Sequence, residues 1–475
     1  MTSENMLEKC EKLLKKHNQG HLLTFWQQLD DNQRQSLLLQ IQQLDFNVID
    51  GWIERYVKTD TPFKLPISLK PASSYPHQAD KGPTKRKYEE AARAGAHLIS
   101  TGRVGAFVVA GGQGTRLGFD GPKGNFPISP VKNKTLFQIF AETILAASQK
   151  YNTTIPWYIM ASPLNYQQTL DIFGGSNYFG LKPSDVFIFQ QGTIPNFDFD
   201  GKILLADKST IACSPDGHGG SFRALCKSGA VDDMKKRSVE ILTYWQIDNP
   251  LVKVFDPLFI GLHSLEKAEM SSKALIKAHP KEKVGNFCLV DGKVTVIEYS
   301  DLPDELAEKR NADGSLAFSL GSIAIHIINR KFIEKLNCGD TRLPFHRAVK
   351  KIPFIDSAGN LVKPREPNGV KLECFIFDAL PLATNSVILQ TVRSEEFAPV
   401  KNADGLESPQ ATKQMMTERW AAWLESAGAA VPRKPDGSVD CVIEIAPSFA
   451  IDKDDVEKKK SRIPEIKSMD RLYLA

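Results

Sequence analysis

Ala106–Ala110 reads AFVVA, and it runs without a polar break into Gly111-Gly112-Gln113-Gly114, then Thr115-Arg116-Leu117-Gly118 and Pro122-Lys123-Gly124. A short apolar run of this kind suits a strand buried on both faces. Glycine this dense directly after a strand lets backbone amides come close to an anion. Arg116 and Lys123 put two cations on the same loop. The spacing excludes the two commonest phosphate loops. A dinucleotide fingerprint needs G-x-G-x-x-G, but Gly112 and Gly114 are followed by glycine only at 118, one residue too far. A Walker loop needs Gly-Lys-Ser/Thr, but Lys123 lies between Pro122 and Gly124.

The rest of the chain supplies the frame for such a loop. From Val104 onward, strand-like segments (AFVVA, IPWYIMAS, DVFIFQQ, VEILTYWQID, FIGLH, KVTVIEYS) alternate with amphipathic ones such as TLFQIFAETILAASQK. That alternation predicts an α/β domain with a mostly parallel or mixed sheet. Before it, Met6, Cys10, Leu13 and Leu14 share a helical face that ends at Asn18–Gly20. A second helix after Asp30 or Asp31 buries Leu37, Leu38, Ile41 and Leu44. Prolines at 62, 66, 71, 76 and 83 mark an extended linker. A helix from about Thr84 to Ser100 follows, with Gly95 on its apolar face, where it permits close packing. Beyond about residue 385 the pattern loosens, and DKDDVEKKKSRIPEIK reads as a solvated tail. The expected division is residues 1–95 (helical region and linker), 96–385 (catalytic domain) and 386–475 (small C-terminal domain).

Composition narrows the partners. A net charge of +4 over 475 residues suits an anionic small molecule and is too dispersed for nucleic acid. Seven cysteines, at 10, 213, 226, 288, 338, 374 and 441, form no C-x-x-C pair and read as reduced thiols. The first twenty residues hold no signal-like apolar run and no apolar stretch is long enough to span a bilayer, so the expectation is a cytoplasmic protein without membrane partners.

The pattern G-G-x-G-T-R-L-G followed by P-K resembles the signature of sugar-nucleotide pyrophosphorylases. FQQGTIP (189–195), SPDGHGG (214–220), QIDNPLVKVFDP (246–257), VIEYSD (296–301), NGVKLECFIFD (368–378) and EEFAPVKNADG (395–405) follow in order. Together they resemble the eukaryotic-type UDP-N-acetylhexosamine pyrophosphorylases, within the wider UTP-dependent uridylyltransferase group, over about residues 85–410. The resemblance implies an α/β, Rossmann-like nucleotidyltransferase (GT-A-like) fold, with a central mixed sheet flanked by helices. It also implies UTP and a sugar 1-phosphate as substrates, a UDP-sugar and pyrophosphate as products, and Mg²⁺ (or Mn²⁺) as cofactor.

The same resemblance implies roles for named residues. Gly111, Gly112 and Gly114 wrap the nucleotide, Arg116 faces the departing pyrophosphate, and Lys123 and Lys401 attend the phosphates. Gln191, Gly217 and His218 serve the nucleotide. Gly285, Glu298, Ser322, Lys371 and Phe375 serve the sugar. Asp248, at the end of an apolar strand, holds the metal, since Mg²⁺ takes one or two carboxylates beside phosphate oxygens. Two positions depart from the N-acetylhexosamine pattern: His218 stands where Asn is usual, and Ser322 where the sugar-contacting Asn is usual. Both bear on the sugar rather than the phosphate chemistry, so glucose 1-phosphate, or a broader range of sugar 1-phosphates, stays open beside N-acetylglucosamine 1-phosphate. A non-catalytic sugar-nucleotide sensor would have lost Arg116, Lys123 or Asp248, and all three are present. A nicotinamide oxidoreductase is opposed by the loop spacing.

Overall fold

The computed structural model describes residues 3–59, 65–79, 81–337 and 343–475; Pro62 and Cys338 lie outside them. The chain forms two compact units.

The smaller unit joins the N-terminal residues to Gly192–Gly220 and Leu343–Ile376. Helices α1 (Ser3–Lys16) and α2 (Asp31–Gln43) form the expected helical pair. Asp30 caps α2 by accepting from the Gln33 amide, and the Gln33 side chain accepts from the Asp30 amide in return. Cys10, Leu14, Leu37, Leu38 and Ile41 are buried with Phe197, Ile203 and Val370, while Leu44 is only half-buried. Phe197–Asp198, Gly369–Glu373 and His346–Lys350 form a three-stranded antiparallel sheet against this core.

The larger unit carries helices α3 (Gly82–Ser100), α4 (Leu136–Lys150), α5 (Pro257–Leu265) and α6 (Pro409–Ser426). Its strands are β1 (Val104–Val109), β2 (Trp157–Ala161), β3 (Val186–Gln190), β4 (Ile241–Gln246), β5 (Met270–Ile276), β6 (Gly285–Val290), β7 (Lys293–Ile297), β8 (Leu320–Asn329) and β9 (Ile388–Thr391). They form one mixed sheet in the order Lys70–Pro71, β6, β8, β4, β1, β2, β3, with β5 between β8 and β9 and with β7 on β6. β4, β1, β2 and β3 run parallel. Their inward residues (Ala106, Val108, Trp157, Ile159 and Trp245) join the main core. The proline-rich segment lies along the sheet edge, as Lys70 and Pro71 pair with Leu289 and Cys288.

One expectation fails here. FIGLH is not a strand but part of α5. Asp256 caps that helix by accepting from the Leu258 amide and Pro257 opens its first turn. α5 packs backbone to backbone on α3. A Cβ at Gly261 would fall 1.7 Å from Ala91 O, and one at Gly95 would fall 1.9 Å from Pro257 O. Gly95 thus permits the close packing its position predicts. The charge-dense segment 452–467 is mostly exposed, as its composition predicts, while the segments flanking it pack into the unit. α6 buries Met416, Trp420 and Leu424, a helix Lys453–Lys458 buries Val456, and Arg471–Leu474 pairs parallel with Val442–Ile445. The six described cysteines form no disulfide with one another. Among the described residues no helix is long and apolar enough to cross a membrane.

Candidate active site

β1, β3 and β4 all end on the same side of the sheet, and the candidate residues lie just past those ends. Ligands in open α/β sheets bind at the carboxyl ends of the parallel strands. Trp245 and Gln246 pair with Val108 and Val109, which places Asp248 beside the start of the glycine loop. Gln191 follows β3, its amide donating to Ala161 O at 2.8 Å. A Cβ at Gly111 would lie 3.2 Å from Gln191 Oε1, so the glutamine amide faces the loop backbone directly.

The loop closes on itself. The Gly114 amide donates to Gly121 O at 2.9 Å and the Lys123 amide to Gly112 O at 3.0 Å. That second bond folds Lys123 back toward the strand end, where its Nζ lies 3.7 Å from Asp248 Oδ2. Both side chains are mostly buried, at 15% and 12% exposure. Arg116 is exposed on the turn Thr115–Leu117.

The segment before Lys401 reaches Asp248 along a different route. The Val400 amide donates to Asp248 O at 2.8 Å, so the segment before Lys401 is laid against the aspartate backbone. Lys401 Nζ is 3.2 Å from Glu407 Oε1. Arg116, Lys123, Asp248, Gln191 and Lys401 therefore all belong to the larger unit, and Lys123, Asp248 and the Lys401 segment are in direct contact.

Two asparagines that sequence reasoning did not single out hold these parts. Asn165 Nδ2 donates to Ala110 O at 3.1 Å and Gly112 O at 3.3 Å, while its Oδ1 accepts from the Ser162 amide at 2.8 Å. It clamps the first turn of the glycine loop. Asn249 Nδ2 donates to Glu396 O at 2.7 Å, and its Oδ1 accepts from the Ala398 amide at 3.0 Å. It ties the segment leading to Lys401 onto the one carrying Asp248. The only sequence signal for Asn249 is its place directly after the aspartate.

Gly285, Glu298 and Ser322 converge as a second group in the same unit. Gly285 and Ser322 are cross-strand partners on β6 and β8. A Cβ at Gly285 would lie 3.6 Å from Glu298 Oε1 and 3.8 Å from the Ser322 Cβ. The Val296 side chain comes within 2.5 Å of that Cβ position, so only glycine lets the Glu298 carboxylate and the Ser322 side chain approach here.

Gly217, His218, Lys371 and Phe375 belong to the smaller unit. Gly217 has φ +81°, and a Cβ there would meet Cys374 O at 2.3 Å, so only glycine fits. The His218 ring stacks on Phe375 with centroids 5.3 Å apart. Its Nδ1 accepts from the Ile376 amide at 3.1 Å. Burial, with a smaller contribution from His346, pushes His218 down to about 4. A neutral ring is what an Nδ1 acceptor requires, and it leaves Nε2 as the protonated nitrogen. Lys371 lies on the strand paired with His346–Lys350.

As a metal site, the end of β4 offers one carboxylate, Asp248, beside the glycine loop. Among the described residues no group of three or more His, Cys, Asp or Glu could hold an ion. This fits Mg²⁺ brought in with substrate phosphates, which needs few protein ligands, better than a dedicated protein cage.

The family model for UTP–glucose-1-phosphate uridylyltransferase matches residues 78–475. A human relative named UDP-N-acetylhexosamine pyrophosphorylase-like protein 1 is 36% identical over 91% of this chain and 91% of its own length. The Saccharomyces cerevisiae UDP-N-acetylglucosamine pyrophosphorylase is 34% identical over 87% of this chain and 90% of its own. Among solved structures, the uridine diphosphate N-acetylglucosamine pyrophosphorylase of Trypanosoma brucei, solved with an inhibitor, superposes with a TM-score of 0.80. It is 26% identical, covering 100% of this chain and 98% of that one.

Proposed function

The chain belongs to the UTP–glucose-1-phosphate uridylyltransferase family, and from that premise we propose that it transfers a uridylyl group from UTP to N-acetylglucosamine 1-phosphate, forming UDP-N-acetylglucosamine and pyrophosphate. The observation that carries the chemistry is the contact of Lys123, Asp248 and the Lys401 segment beside the glycine loop. The sugar follows the names of the relatives.

The reaction needs no strong base, because a sugar 1-phosphate is already an oxyanion at neutral pH. Its difficulty is bringing two polyanions together and stabilising charge on the group in transfer, so catalysis is positioning and electrostatics. Lys123 sits where the α-phosphate is held and Lys401 adds a second cation. Arg116, exposed at the loop tip, meets the departing pyrophosphate. The glycine-loop backbone and Gln191 take the uracil edge, for which an amide supplies both a donor and an acceptor. Gly217 and neutral His218, in the smaller unit, are assigned to the nucleotide by the sequence resemblance alone. Asp248 would hold Mg²⁺, which when bound neutralises phosphate charge. Glu298 accepts sugar hydroxyls beside Gly285. Lys371 and Phe375, carried by the smaller unit, are assigned to the sugar by the sequence resemblance alone.

Ser322 favours a second substrate, glucose 1-phosphate, because a hydroxyl is shorter than an asparagine amide and lacks its N–H donor. Initial rates with a panel of sugar 1-phosphates decide between them. A kcat/KM highest for N-acetylglucosamine 1-phosphate is expected, and a preference for glucose 1-phosphate would overturn the sugar assignment.

A further inference from the structure

A cavity of about 310 Å³ opens in the larger unit away from the glycine loop, between α4, α6 and the segments 250–256 and 389–396. Its size is at the lower end of the range for small-molecule sites. One wall is apolar and aromatic, with Phe140, Val252, Met416, Trp420 and Trp423. The other is ionic. Lys273, only 1% exposed, is held between Asp256 at 2.8 Å and Glu396.

The hydrogen bonds of this wall are unevenly filled. Each of the five lining carboxylates already has a donor. Asp256 and Glu396 share Lys273, Glu395 accepts from Trp423 Nε1 at 3.1 Å, Glu444 from the Val131 and Lys132 amides, and Asp452 from Lys150. Lys134 and Lys273 are likewise well paired, but two other lining cations are less well served. Arg419 Nη1 donates to Leu251 O at 2.9 Å and Glu395 O at 3.3 Å, but its Nε is buried with no partner. Its guanidinium lies 4.9 Å from the Trp423 ring centroid, and burial pushes it down to about 10. Lys253 Nζ has Asp256 Oδ1 only at 3.6 Å, and that oxygen already accepts from the Leu258 amide. A buried donor without a partner is unfavourable. A ligand entering this cavity gains most by bringing acceptors and negative charge, and the indole and phenyl wall favours an attached ring.

We infer that this cavity is a second ligand site, separate from the nucleotide and sugar groups, that takes a small organic anion bearing an aromatic ring, with a carboxylate or phosphate toward Arg419 and Lys253. Its occupant acts on turnover. The walls 250–253 and 395–396 run directly into Asp248 and Lys401, and Asn249 ties the two segments together. The effect on turnover rests on the uridylyltransferase reading. The binding does not, and the two are measured separately.

The test titrates the full chain with benzoate and with phenyl phosphate, benzamide being the neutral control. Binding is followed by tryptophan fluorescence with UDP-N-acetylglucosamine saturating. Saturable binding of either anion is expected, weakened about tenfold in Arg419→Gln, as loss of a charged hydrogen bond predicts. Lys253→Gln weakens it about threefold, and this half-exposed position carries the test if Arg419→Gln does not fold. Absence of saturable binding, equal binding of benzamide, displacement by the sugar nucleotide, or wild-type affinity in both folded variants would each overturn the site. Pyrophosphate release at saturating anion should change in the wild type and stay constant in the variant that has lost binding. An unchanged wild-type rate would overturn the effect on turnover.

Discussion

Lys123→Ala removes the cation that the glycine loop folds back toward Asp248. The size of the effect follows from position. A unit charge about 4 Å from a phosphate oxygen, at an effective dielectric near 20, is worth roughly 4 kcal/mol. Only the part that grows as charge develops in transfer accelerates the reaction. A fall in kcat of roughly 10²–10³-fold is therefore expected, as when a single oxyanion donor is removed. The fold should survive. Lys123 Nζ is 3.7 Å from Asp248 Oδ2, beyond hydrogen-bond length, but both groups are mostly buried, so losing the cation should lower the urea midpoint without unfolding the chain. Losing the cation also removes a competitor for the Asp248 carboxylate, so the variant should reach half-maximal UTP binding at a lower Mg²⁺ concentration. Steady-state pyrophosphate release, a urea midpoint and a Mg²⁺ titration read these three effects. A variant that turns over within tenfold of wild type, while folded, would remove Lys123 from the chemistry.

Gly285→Ala puts a methyl between Glu298 and Ser322, with Val296 Cγ1 only 2.5 Å away. It should lower kcat/KM for the sugar 1-phosphate about tenfold and leave the KM for UTP unchanged; an equal change in both would refute the sugar assignment of this group. Gly261→Ala drives a methyl to 1.7 Å from Ala91 O, so α3 and α5 must separate. About 3 kcal/mol of stability should be lost despite the better helix propensity, and an unchanged urea midpoint would contradict the contact. His263 is buried between Ser271 Oγ at 2.7 Å and Asn329 Oδ1 at 3.0 Å, and burial pushes it from 6.5 to about 4. Between those values the unfolded chain holds the extra proton. The stabilisation is therefore complete above about pH 6.5 and falls by about 2 kcal/mol on going to pH 5. Urea midpoints at pH 7 and pH 5 should show that loss in the wild type and a smaller one in His263→Gln.

Local pattern made the glycine loop legible, because a strand buried on both faces and the loop that follows it are adjacent in sequence. The same apolar logic misread FIGLH. A five-residue apolar run does not distinguish strand from buried helix, and the deciding signals lay just before it, in the Asp256–Pro257 cap, and in Gly261, whose need for a bare backbone depends on α3. α6 was passed over because its buried positions, from Thr412 to Leu424, are interleaved with Lys413, Gln414, Glu418 and Arg419, so no clean stripe announces it. Asn165 and Asn249 act through backbone atoms far away in sequence, which no spacing rule reaches. The meeting of Gly285 with Ser322 depends on strand register, and the cavity above α4 on tertiary packing alone.

The central claim is tested most directly by mixing the purified chain with UTP, Mg²⁺ and N-acetylglucosamine 1-phosphate, and measuring pyrophosphate and UDP-sugar together. The account predicts equimolar formation of the two, dependent on the sugar phosphate. No pyrophosphate release with any sugar 1-phosphate would contradict it.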